Sequence, residues 1–157
     1  MLLLTFLSTL LDSSGAPLAR GALEGKRVGL YFAAGWCPMC TSFEPALLEF
    51  RADAAKAGTP LELVLVSSDG SAAEQARRAR ALGIMQVSYE SHTREQLKRK
   101  YRVWPGREVA ALGRDRRAGV PAIVVLGKGA ESEVAFLDAE SHGADALRDW
   151  PLEEGVW

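Results

Sequence analysis

The chain has 157 residues, 48% of them hydrophobic and 25% charged, and a formal net charge of -1. Such a length suits one domain, numbered 1–157, that buries a core without covalent staples, and the composition is ordinary for a soluble globular protein. The near-neutral charge gives no electrostatic ground for nucleic acid or an anionic membrane as partner, so neither is expected.

Met1–Leu11 is apolar enough to resemble a signal-peptide core, yet it is too short to span a bilayer as a helix. It has no Lys or Arg ahead of the apolar stretch, and Ser13-Ser14-Gly15-Ala16 makes a poor cleavage site. Residues 1–19 are therefore read as an N-terminal extension, a helix or strand packed on the domain with a turn at Asp12-Ser13-Ser14-Gly15. Gly25-Lys26 marks a turn before a buried strand at about 27–33. Then come Trp36-Cys37-Pro38-Met39-Cys40, which contain the only two cysteines of the chain. Phe43, Leu47, Phe50 and Ala54 follow on one face of a helix that ends near Gly58, and Pro45 falls inside it. Thr59-Pro60 breaks that helix, and Leu61–Val66 reads as a second buried strand.

Ser71 with Glu74 is a capping-box pattern that opens a helix to about Leu82. Thr93 with Gln96 is another, opening a short helix that carries Leu97 and Tyr101. Ala122–Leu126 is a third strand, Gly127-Lys128-Gly129 a turn, and Glu133–Phe136 a fourth strand at an edge. Gly143–Trp150 reads as a last helix stopped by Pro151, with Trp150 and Trp157 packing the C-terminus on the sheet. The alternation of these elements predicts an α/β fold, a central sheet with helices on both faces.

A Cys-x-x-Cys pair where a strand hands over to a helix suits cycling between dithiol and disulfide. Both cysteines lie in this motif, so none remain for a structural disulfide elsewhere. That usage favours a reducing compartment, cytoplasmic or nuclear, over a secretory or organellar one. The pair is half of a structural zinc site at most, and the other candidate ligands, His92 and His142, stand alone. Neither a metal nor an organic cofactor is expected.

The order of elements, with Trp36-Cys37-Pro38-Met39-Cys40 after a strand and Gly119-Val120-Pro121 before a hairpin, resembles the thioredoxin-like fold, with a mixed sheet. Within it the chain is similar to the tryparedoxin and nucleoredoxin branch. The resembling residues are Leu23–Val28, Leu30-Tyr31-Phe32, the cysteine motif, Phe43-x-Pro45-x-Leu47-Leu48 and Leu65–Asp69. The chain departs from that branch in Met39, where Pro is common, and in Thr41, where Arg is common. It also carries an insertion at about 104–117, rich in arginine, ahead of Pro121. No arginine of the C-terminal hairpin matches the basic residues that tryparedoxins use for their glutathione–spermidine conjugate, so the resemblance does not fix the reductant.

Cys37 is expected at the start of the helix, where backbone N–H groups stabilise a thiolate, as the attacking sulfur. Cys40, one turn later, is expected to be the more buried, resolving thiol. Pro38 fits the first helical turn. Trp36 and Met39 offer apolar contact to a docking partner. The resemblance implies that Val120-Pro121 is a cis-proline loop beside the cysteines, offering strand-like hydrogen bonds to an extended substrate. It also implies that Tyr31 stands where thioredoxins carry a buried aspartate, so no carboxylate is expected next to Cys40, and water or a more distant acid such as Asp69 would have to serve. Asp69 is read as a turn residue or helix cap.

The expected function is a monomeric thiol–disulfide oxidoreductase acting on protein disulfides, an oxidised peroxidase among them. Its electrons would come from an external reductase or a small thiol. The alternatives are a redox-sensitive binding module with little turnover, and a secretory thiol oxidase or isomerase. The insertion is expected to flank the site and to take part in partner selection, or else to be a solvated surface loop.

Overall fold

The computed structural model describes residues 2–19, 21–127, 130 and 132–153. Lys128, Gly129 and Trp157 lie outside the described residues. Six strands form one mixed sheet: β1 Leu10–Leu11, β2 Arg27–Ala33, β3 Leu61–Ser67, β4 Met85–Val87, β5 Ala122–Leu126 and β6 Glu133–Leu137. Their order is β1-β4-β3-β2-β5-β6. β2, β3 and β4 are parallel; β1, β5 and β6 run antiparallel to their neighbours. β2 and β3 are continuous apolar runs, as befits parallel strands covered on both faces.

The helices are α1 Leu2–Ser8, α2 Pro38–Lys56, α3 Ala72–Leu82, α4 Thr93–Tyr101, α5 Val109–Leu112 and α6 Ala139–His142. Because side chains alternate along a strand, neighbouring residues of β2 show which helix covers which face. Tyr31 meets Phe43 of α2 at 6.1 Å between ring centroids, whereas Phe32 meets Tyr101 of α4 at 6.4 Å. α2 and α3 share the first face, tied by Arg78 to Glu44 and by Arg51 Nη1 to the Gly83 carbonyl at 3.0 Å. Gly29, two residues before Tyr31, faces the Trp150 ring, which also packs on Phe50 at 5.6 Å.

The N-terminal segment divides into α1, a short bend and β1, with Phe6 and Leu10 buried in the core. β1 pairs with β4, a three-residue strand that the sequence does not announce because it is shorter than any periodicity test. Asp12 forms the expected turn: its carboxylate accepts from the Ser14 and Ala16 N–H groups. Among the described residues no helix is long and apolar enough to cross a membrane.

Two sequence expectations need correction. His92, not Thr93, caps α4, and without a side-chain bond; Thr93 is buried within the first turn, so its hydroxyl is not in the capping position. The last helix is α6 followed by a 3₁₀ segment, Gly143–Asp149, rather than one helix from Gly143 to Trp150. Gly143 at φ +57° ends α6 and turns the chain. Asp138 caps α6 by accepting from Ser141 N.

Candidate active site

Cys37 is the N-cap of α2, with φ -88° and ψ 111°, and Pro38 opens the helix. The extended backbone at Cys37 turns its sulfur toward the first helical amides, and Cys40 N donates to Cys37 Sγ at 3.2 Å. Pro38, which has no N–H to leave unsatisfied, is preset for this position. The helix runs unbroken through Pro45 to Lys56.

The two thiols differ in access. Both are free, Cys37 at 6% exposure and Cys40 at 0%. Burial pushes the Cys40 thiol well above its ordinary range, and its hydrogen bond with Cys37 adds to the rise. Between them Met39 is 50% exposed, one of two large apolar side chains so open among the described residues. Pro38 is exposed beside it.

The Val120–Pro121 peptide is cis, and it lies against the cysteine motif: Cys37 Sγ is 3.9 Å from the Val120 carbonyl oxygen. Behind this loop the Gly119 N–H donates to Glu140 Oε1 of α6 at 3.3 Å. Ahead of it, Val103 and Ala118 form an isolated bridge. The structure thus brings Trp36, Cys37, Met39, Cys40, Val120 and Pro121 to one end of β2 and β5.

Trp36 is half-buried, its Nε1–H donating to the Ser68 carbonyl at 2.9 Å. Asp69 fixes the same corner from below. Its carboxylate accepts from Gly35 N at 2.7 Å and from Ser67 Oγ at 2.5 Å. Asp69 is thus a turn residue that ties the cysteine loop to the end of β3, while Ser71 caps α3.

The arginine-rich insertion reaches this corner. Residues Gly106–Glu108 form a 3₁₀ turn that runs into α5. The Arg107 guanidinium lies 3.7 Å from the centre of the Trp36 ring. Glu108 accepts from Ser68 Oγ at 3.2 Å and pairs with the buried Lys98 at 2.7 Å. Arg117 pairs with Glu133 and lies over Phe136. The segment from Trp104 to Arg117 is therefore bound to the protein at both ends and at its 3₁₀ turn.

One buried carboxylate that the sequence does not single out lies on α2. Glu44, one helical turn beyond Cys40, accepts a 2.9 Å hydrogen bond from the Tyr31 hydroxyl and is paired with Arg78 of α3. The signal was a charged residue at a core position of α2, adjacent to Phe43. Burial and the nearby Cys40 sulfur both hold the Tyr31 phenol in its protonated form. His92 and His142 are exposed on separate elements. Among the described residues no three His, Cys, Asp or Glu side chains cluster as metal ligands.

A family model described as Thioredoxin-like matches residues 25–131. Nucleoredoxin of Bos taurus is 44% identical over 62 residues, 40% of this chain and 14% of that protein. Nucleoredoxin of Mus musculus is 30% identical over 118 residues, 74% of this chain and 24% of that protein. The chain therefore spans about a quarter of these relatives or less. Among solved structures, tryparedoxin II from C. fasciculata superposes with a TM-score of 0.71 at 23% identity, covering 95% of this chain and 90% of that one. Thioredoxin from Wuchereria bancrofti gives 0.63 at 27% identity, with coverage of 92% and 90%. The chain belongs to the thioredoxin-like family, is similar to nucleoredoxins in sequence and to tryparedoxins in fold, and carries the Cys-x-x-Cys pair of an oxidoreductase family.

Proposed function

We propose that the protein reduces protein disulfides through a Cys37–Cys40 dithiol cycle. The observation that carries this reading is the placement of Cys37: at the N-cap of α2, with an amide on its sulfur, against the cis-proline loop. The Cys37 thiolate attacks a substrate disulfide and one substrate sulfur leaves as thiolate. Cys40 then attacks the mixed disulfide, forming Cys37–Cys40 and releasing the second substrate sulfur. The buried position of Cys40 fits the resolving role, since an incoming substrate meets Cys37 first.

Trp36, Pro38, Met39, Val120 and Pro121 form the docking surface. An extended substrate segment would lie along the Val120-Pro121 backbone, with its apolar side chains against Trp36 and Met39. The substrates are protein disulfides, an oxidised peroxidase among them, and a separate reductase or small thiol restores the dithiol. Neither metal nor organic cofactor takes part in this cycle. The protein is taken to act as a cytoplasmic monomer.

A second reading, a redox-sensitive binding module, is favoured by the exposed Met39 beside the half-buried Trp36, a surface that suits partner contact without turnover. Insulin reduction separates the two. Turnover by the native chain, and its loss in Cys37→Ser, supports catalysis; a native chain that holds partners without turnover supports binding alone. A Cys37–Cys40 reduction potential of about -270 to -200 mV fits a reductase, whereas about -120 mV fits an oxidase.

A further inference from the structure

The resolving step needs the Cys40 thiolate, and Cys40 holds its proton firmly. Its sulfur has no exposed surface, and burial raises the thiol above its ordinary range. Without direct access to solvent, its proton needs an acceptor inside the protein. Asp69, whose negative charge adds to the rise at Cys40, holds the loop corner through Gly35 N and Ser67 Oγ.

Glu44 is the other buried carboxylate at this end of α2. It is 2% exposed, at a spacing of four residues from Cys40 and so on the same helix face. Its Oε2 takes the Tyr31 hydroxyl at 2.9 Å, and Arg78 supplies the positive charge that lets a carboxylate sit there. Tyr31 is fully buried beneath this turn of α2, its ring 6.1 Å from that of Phe43, which lies between Cys40 and Glu44 in the helix. A buried ion pair is a poor way to stabilise a core, since an apolar replacement is often as good or better. Its position beneath the resolving thiol gives it another use.

We propose that Glu44, acting through Tyr31 and held by Arg78, accepts the Cys40 proton during resolution. The inference rests on the dithiol cycle above. Cys40 Sγ gives its proton to the Tyr31 oxygen as the Tyr31 proton passes to Glu44 Oε2. The Cys40 thiolate attacks Cys37 Sγ, and the Cys37–Cys40 bond forms. The bond between Cys37 and the substrate sulfur breaks, its electron pair leaves on that sulfur, and solvent protonates it. When the disulfide is later reduced, the proton returns from Glu44 to Cys40. Glu44 and Arg78 are positioning residues for this transfer.

The test isolates resolution. Cys37 of the reduced protein is reacted with the aromatic disulfide of 5-thio-2-nitrobenzoate, and release of the coloured thiol from the mixed disulfide is followed by stopped flow across pH. In Glu44→Gln, release at neutral pH should fall by about a hundredfold, the lower end of general-base effects, and should approach the native rate in alkali. Glu44→Asp should restore part of the native pH profile, and Tyr31→Phe should lose it. The Glu44→Gln/Arg78→Met double variant removes the unpaired guanidinium and, if folded by circular dichroism, should behave as Glu44→Gln does. Alkylation of Cys37 by iodoacetamide should be unchanged in every folded variant. A native pH profile in Glu44→Gln or in Tyr31→Phe overturns the proposal while leaving the dithiol cycle standing. A native protein that never releases the coloured thiol overturns both.

Discussion

Cys37 and Cys40 are chemically alike and separated by two residues, so the fold alone makes them different. One sulfur sits at a helix cap with an amide on it; the other is sealed on the inner face of α2. The sealed thiol leaves a thermodynamic trace. Folding raises the Cys40 pKa above its ordinary value of 9.0, so the folded chain keeps a proton that the unfolded chain loses. Its stabilising effect is complete below about pH 9 and is lost as pH rises through the folded value. The comparison of Cys37→Ser with the Cys37→Ser/Cys40→Ser double variant isolates this group, because Tyr31, Tyr101 and Lys98 are common to both. Urea unfolding between about pH 8 and 10 should show the single variant losing stability relative to the double variant as pH increases. A constant difference would mean that Cys40 is no harder to ionise in the folded protein.

At the level of elements, the insertion reaches the corner that holds the cysteines. Its 3₁₀ turn places Arg107 on Trp36 and Glu108 between Ser68 and Lys98. An exposed cation–ring contact is worth about 0.5–1 kcal/mol, too little to hold the fold but enough to orient the Trp36 ring. Arg107→Ala should lower kcat/KM for insulin by about 2- to 5-fold, the kinetic equivalent of that energy, with thermal stability nearly unchanged. Reduction of a small aromatic disulfide, which reaches Cys37 without the surrounding surface, should proceed at the native rate. Equal losses on both substrates would place Arg107 in the positioning of the thiol itself. Much of this level was legible in the sequence. β2, β3, α3 and β5 announce themselves by apolar runs and by the Ser71–Glu74 cap, and the cysteine motif and Val120-Pro121 are local signals. Glu44 with Arg78 was legible only by half: Glu44 falls at a core position of α2, but its partner sits on another helix and is reached only through space. The β1–β4 pairing escaped notice for a related reason: two- and three-residue strands are defined by their partner rather than by their own pattern.

Across the whole molecule, the two faces of the sheet are held to different tolerances. On the α2 face, Gly29 leaves the space that the Trp150 ring fills; an added Cβ would stand 2.4 Å from that ring and 3.1 Å from Ile123. Gly29→Ala should therefore cost about 1–3 kcal/mol, the usual range for overpacking, measured as a lower urea midpoint at unchanged slope. Trp150→Leu in the same chain should recover part of that loss; no recovery would show that the ring is not what Gly29 accommodates. The insertion is held by its ends and its 3₁₀ turn rather than by close packing of its whole length. The Val103–Ala118 bridge closes its base, helped by Arg117 N to the Arg102 carbonyl at 2.6 Å and Trp104 N to the Ala118 carbonyl at 3.3 Å. A loop whose two ends already touch can lengthen at a cost that grows only with the logarithm of its length. The stretch between Val109 and Asp115 can therefore be lengthened as a cassette, with the sheet and the cysteine corner left in place.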